Sequence, residues 1–187
     1  MNTSTNQFQT VMKTTALVTA IVTGMLFVLS CLFDWKWILP AAISSGTTCY
    51  HFSMRLLVGW IIPFTTKSFD QNRWWFRPHH WEPAFYAVLK VKNWKRNLPT
   101  YAPEQFDLKT NTLRQVIRNT CNAELVHEVI IVFSFLPLTF SIWFGEFPIF
   151  MITSLPAALF DSIFVIAQRY NRPRLMRILE KTEVRQS

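Results

Sequence analysis

Charge is scarce in this chain. Asp, Glu, Lys and Arg make up 16% of its 187 residues, where a soluble domain carries about a quarter. A composition half hydrophobic with so little charge excludes an ordinary water-facing globule. Cysteine is scarce too. Cys31, Cys49 and Cys121 show no Cys-x-x-Cys pairing, which excludes a disulfide framework and zinc-finger spacing. Repeated histidine-box spacings are missing. One Glu-x-x-His unit is present, whereas a carboxylate-bridged di-iron bundle uses two. The reading therefore assigns no metal. Internal repeats and low-complexity stretches are absent as well.

Long apolar runs are present. Ala16 to Phe33 carries no charge, and Ile38 to Phe64 is interrupted only by His51 and Arg55. Val129 to Phe144 is uncharged, and Phe147 to Ala167 holds Asp161 alone. About 20 apolar residues cross a bilayer as a helix. The chain thus reads as all-α, a polytopic membrane helical bundle forming one membrane domain over 1–187. It has about four transmembrane helices, at about 13–33, 38–64, 121–144 and 147–168. Pro137, Pro148 and Pro156 are candidate kinks in the last two. The string Val28-Leu29-Ser30-Cys31 is weakly lipobox-like. Only Lys13 precedes the first run and no small-residue cleavage site is clear, so the run is read as an anchor.

The positive charges are not spread evenly. Ten lie between Thr65 and Thr120, Lys67 and Arg73 among them, and six lie from Arg169 onward. The connections near Asp34-Trp35-Lys36-Trp37 and Gly145-Glu146 hold one between them. The positive-inside rule places 65–120 and the basic tail 169–187 in the cytoplasm, and an even number of spans brings the N-terminus there too. The net charge of +8 points to lipid headgroups or phosphate-bearing ligands and not to nucleic acid. Within 65–120, tryptophans interleave with Lys and Arg, which suits a cytoplasmic amphipathic interfacial segment between the second and third spans. Phe85, Val88, Leu89 and Lys92 have the spacing of one short helix. A second helix starts near Asn111 and continues into the third span.

Several groups of residues carry candidate chemistry. Glu124 and His127 stand one turn apart on one helix face, beside Glu128, where the chain turns apolar. Ionisable groups there are costly and are functional candidates. A histidine oriented by a carboxylate is a general base; the structural alternative is a polar pair that ties helices together. Cys121, one turn earlier, is a candidate acyl-enzyme nucleophile or a small packing residue. His51 and Arg55, at i and i+4 in the second span, look into the bundle, with Asp161 or Glu124 as candidate partners of Arg55. The string Gln168-Arg169-Tyr170-Asn171-Arg172-Pro173-Arg174-Leu175 concentrates three arginines just past the last span. Such a cluster can clamp phosphates. Trp94, Lys95 and Arg96 in the interfacial segment can meet an anionic donor or headgroup.

Three strings occur in order: Lys92-Asn93-Trp94-Lys95-Arg96-Asn97-Leu98-Pro99, Cys121-Asn122-Ala123-Glu124-Leu125-Val126-His127, and Gln168 to Leu175. Together they resemble the glycosyl-4,4'-diaponeurosporenoate acyltransferase family over about residues 65–180. Family members commonly have an aromatic residue after the histidine, where this chain has Glu128. The resemblance implies a multi-pass enzyme of the bacterial cell membrane. It moves a fatty acyl chain onto a hydroxyl of a glycolipid or similar amphiphile, as in carotenoid biosynthesis. His127 and Glu124 are then the expected catalytic pair. Arg169, Asn171, Arg172, Arg174, Lys95, Arg96, Trp94, Arg55 and His51 are the expected substrate-binding residues. The expected partners are membrane lipids, a glycolipid-like acceptor, and acyl-CoA, acyl carrier protein or phospholipid as donor; no separate cofactor is expected. Two rival readings are a metal-dependent lipid oxidase or hydroxylase using His79, His80, His127 and Glu124, and a non-catalytic lipid-binding membrane protein.

Overall fold

The computed structural model describes residues 3–33, 35–65, 73–100 and 102–186. Asp34, Lys67 and the opening of the interfacial segment lie outside them. The regular structure of the described residues is helical, and they hold no strand. Helix α1 spans Thr3–Leu32 and α2 spans Ile38–Thr65. The short helices α3 (Glu82–Val88) and α4 (Val91–Trp94) follow, then α5 (Leu113–Ser134), α6 (Ser141–Phe144) and α7 (Phe147–Gln186). Three segments are long and apolar enough to cross a membrane: Gln7–Leu32, Leu113–Phe144 and Phe147–Arg185. The expected second span, 38–64, forms as one helix of 28 residues. It does not join the three, because its serines and threonines, with His51 and Arg55, dilute its apolarity.

Two compact units divide the chain. The first is Met1–Trp60 with Val129–Asp161, and the second is Ile61–Glu128 with Ser162–Ser187.

In the first unit α1 and α2 meet through small residues. Thr23 Oγ1 donates to Ser45 Oγ at 3.0 Å, and Ser45 Oγ donates to the Thr19 carbonyl at 3.1 Å. A Cβ on Gly46 would stand 3.3 Å from Thr23 Cγ2, so glycine permits this approach. The outer side of α1 is apolar and bare: Leu17, Ile21, Met25, Phe27 and Leu32 are all more than half exposed. In water such a surface would be a liability, and in a bilayer it is the ordinary lipid-facing side. Helix α5 ends at Ser134, and Pro137 falls in the 3₁₀ turn Leu136–Phe140 that follows. Gly145, at φ +67°, then turns the chain into α7. Pro148 sits in the first turn of α7, where its missing N–H costs nothing. The helix continues through Pro156 and Pro173, and the expected basic tail is its last stretch.

In the second unit the expected single helix around Phe85 to Lys92 is broken. Lys90 takes the left-handed conformation at φ 50°, which separates α3 from α4. The Trp94 indole donates to the Leu89 carbonyl at 2.8 Å and satisfies a group the break would strand. Helix α5 starts with a reciprocal cap. The Thr112 N–H donates to Gln115 Oε1 at 2.7 Å, and the Gln115 N–H to Thr112 Oγ1 at 3.3 Å. This start agrees with a helix from about residue 111. Phe76, Val91, Val116, Ile117, Cys121 and Phe164 are buried.

Candidate active site

The second unit gathers five charged side chains from three stretches of sequence. Glu124 and Glu128 stand on α5, Glu82 opens α3, and Arg169 and Arg172 stand on α7. Arg169 and Arg172 lie at i and i+3, so one face of α7 presents both guanidiniums. Glu124 is fully buried. Its Oε1 accepts from Arg169 Nη1 at 3.0 Å, and its Oε2 accepts from Arg172 Nη1. Arg169 also donates Nε–H and Nη2–H to Glu82 Oε1, at 3.1 and 2.8 Å. Glu82 Oε2 accepts from the Tyr86 hydroxyl at 2.8 Å. Arg172, 1% exposed, donates a second bond to the Phe76 carbonyl. Glu128 Oε1 stands 3.9 Å from Arg169 Nη1, and its Oε2 accepts from the Trp75 indole at 2.7 Å. Three carboxylates thus surround two guanidiniums, and the network is not cationic.

Electrostatics follow from these contacts. Burial by itself would raise the Glu82 carboxyl. The hydrogen bonds from Tyr86 and Arg169, with the Arg169 charge, outweigh it and hold Glu82 below the usual carboxylate range. Burial, and then the Glu82 acceptor, push the Tyr86 phenol well up.

His127 is half-buried, and its ring stacks on Phe164 with centroids 4.6 Å apart and planes 11° from parallel. The stack fixes the plane of the imidazole. Cys121 is buried close to Arg172. On α7, Asn171 Oδ1 accepts from Lys95 Nζ. Lys95 and Arg174 both stand over the Tyr170 ring, at 4.6 and 4.0 Å from its centroid. Arg96 is exposed and Trp94 half-buried. His79 and His80 are exposed, and His79 stacks on Trp81. Among the described residues no three His, Cys, Asp or Glu side chains gather in a way that suits a metal ion.

His51 and Arg55 belong to the first unit. Arg55 is held by Asp161: its Nε donates to Oδ2 at 3.0 Å, and its Nη2 donates to the same oxygen and to the Ala157 carbonyl, the latter at 3.1 Å. Of the two partners expected for Arg55, Asp161 is the one it meets. His51 is 4% exposed, and neither ring nitrogen has a hydrogen-bond partner among the described residues. The apolar groove of this unit, about 420 Å³, is lined by Phe27, Ile43, Tyr50, Phe140 and Phe150 among others.

The structure therefore brings Glu124, Arg169 and Arg172 into one network, and Lys95, Asn171 and Arg174 around Tyr170. Glu82, Tyr86, Trp75 and Phe164 join these groups without having been expected. Glu82 and Arg169 are 87 positions apart, and nothing local to either announces the other. Glu82 follows Trp81 in a chain with few carboxylates, which is a weak local signal.

The family described as glycosyl-4,4'-diaponeurosporenoate acyltransferase matches residues 72–181. That stretch covers more than half of the chain and contains the whole Glu82–Glu124–Glu128–Arg169–Arg172 network, while α1 and α2 lie before it. Searches of curated proteins and of solved structures found no match. A matched region of this extent, ending beyond the arginine string and joined to apolar helices, places the chain in the glycosyl-4,4'-diaponeurosporenoate acyltransferase family, as a membrane-associated acyltransferase.

Proposed function

We propose that the acyl chain passes from a thioester or phospholipid donor to a hydroxyl on a glycolipid or similar amphiphile, with His127 as general base. An imidazole nitrogen takes the hydroxyl proton as the oxygen attacks the acyl carbonyl carbon. The carbon–sulfur or carbon–oxygen bond to the donor breaks, and the leaving group takes the proton back from the imidazolium. The observation that carries this reading is the fixed carboxylate one turn from a ring of fixed orientation. Glu124 is bonded on both oxygens by arginines, and His127 lies flat on Phe164. Glu124 acts in this reading by holding α5 against α7 through Arg169 and Arg172, and the proton moves on His127.

The same reading makes the chain multi-pass in a bacterial cell membrane, with both termini cytoplasmic. Support comes from the ten and six basic residues at 65–120 and beyond 169. A 28-residue helix is about 42 Å long, enough to cross. Helix α2 can then cross despite its dilution, because Arg55 is turned onto Asp161 and away from lipid.

The test is acyl transfer in isolated membranes, followed by mass spectrometry of the acceptor lipids. His127→Ala should lower the rate by about 10²–10⁴-fold. A rate within a few-fold of wild type would remove His127 from the mechanism.

A further inference from the structure

The arginine string of α7 divides into two kinds of residue. Arg169 and Arg172 are consumed by Glu82 and Glu124, as described. Among the described residues Arg174 faces no acid. It stands over the Tyr170 ring together with Lys95. The charge of Arg96 reaches Lys95 as well. Among the described residues none of these three cations has a carboxylate partner.

We propose that Lys95 and Arg174, gathered at Tyr170–Asn171, form with Arg96, the residue after Lys95, a phosphate-binding subsite of this acyltransferase. The inference rests on the acyl-transfer reading and names the part of the donor that the cytoplasm-facing residues would hold. Cation–π attraction to one tyrosine and the repulsion between like charges held this close are of similar size. Folding alone therefore gives little reason to collect Lys95 and Arg174 over one ring. A bound phosphate group supplies the reason, because it meets both cations at once with charge-assisted hydrogen bonds. Burial, then the charges of Arg174 and Arg96, lower the Lys95 pKa below the usual lysine range. Asn171 holds the Lys95 ammonium in place through Oδ1, and no protein partner among the described residues engages its amide N–H groups. They remain as further donors for a phosphate oxygen. The Glu82–Glu124–Glu128 network cannot play this part, since its carboxylates outnumber its guanidiniums and repel an anion.

Phosphate is shared by two donors, a phosphopantetheine-type thioester and a phospholipid. Equilibrium binding to the detergent-purified full chain separates them and does not depend on turnover. Coenzyme A is one probe, and nanodiscs containing phosphatidylglycerol against phosphatidylcholine are the other. The Lys95→Gln/Arg174→Gln double variant should bind one of the two anionic probes at least about tenfold more weakly than wild type. Wild-type binding of that probe should itself weaken with added salt. Loss for coenzyme A assigns the subsite to a soluble donor, and loss for phosphatidylglycerol alone assigns it to a lipid headgroup. Arg177→Gln, a nearby exposed cation outside the cluster, should bind as wild type. If the double variant fails to fold, Arg96→Gln carries the test, since its side chain is exposed and a loss of several-fold is expected. Equal binding of both probes by wild type and variant overturns the subsite while leaving the His127 test untouched. An active His127→Ala enzyme overturns the base assignment while leaving the binding result intact.

Discussion

Glu124 and His127 were legible as neighbours from their spacing alone, because i and i+3 on a helix leave no other arrangement. What each does was not legible. Glu124 sits at the centre of two arginine contacts in a fully buried position. Removing one member of a buried charged network strands the others, at a cost of about 3–5 kcal/mol. Glu124→Leu should therefore lower stability strongly in detergent melts, whereas His127→Ala should leave the melt near wild type and act on rate. Equal melts for the two variants would contradict this division. Glu82 adds a pH dependence. Its folded pKa lies below the usual carboxylate range, so its contribution is fully present above that range. It is lost as pH falls through the lowered pKa. Between about pH 6 and pH 3 the wild type should lose more stability than Glu82→Gln measured in parallel. Parallel pH curves would show that Glu82 is not held as described.

At the scale of helices, the pairing of Arg55 on α2 with Asp161 on α7 followed from the cost of a lone charge inside an apolar run. Each of the two runs holds one charged residue, and the first unit brings them together. Arg55→Leu should destabilise by about 3–5 kcal/mol by leaving Asp161 buried alone. Adding Asp161→Leu should recover most of that loss in the same denaturation assay. A double variant no better than the single one would mean that the pair is not the interaction that matters. The break at Lys90 was not legible. Its neighbours have helical spacing, and a lysine carries no signal for the left-handed region. The break is favoured by a contact outside the local pattern, the Trp94 indole on the Leu89 carbonyl.

Across the whole molecule, composition alone argued for a membrane protein, and three segments meet the length and apolarity that crossing requires. In the proposed topology α1 emerges on the outer face near Cys31, which is exposed. A membrane-impermeant maleimide should therefore label Cys31 in intact cells. Labelling only after the membranes are opened or inverted would reverse the proposed orientation.

Sequence by itself determined the helical class, the lipid-facing runs, the basic faces and the family, because each depends on residues adjacent in the chain or one turn apart. Tertiary structure decided which charges cancel and which stay available. Arg169, Arg172 and Arg174 look alike in the string, spaced within six positions. Only the approach of Glu82 and Glu124 from distant segments neutralises the first two, while the third stands over Tyr170 with Lys95. Coulomb energies fall with distance in space and are blind to distance along the chain, so that sorting appears only once the chain has folded.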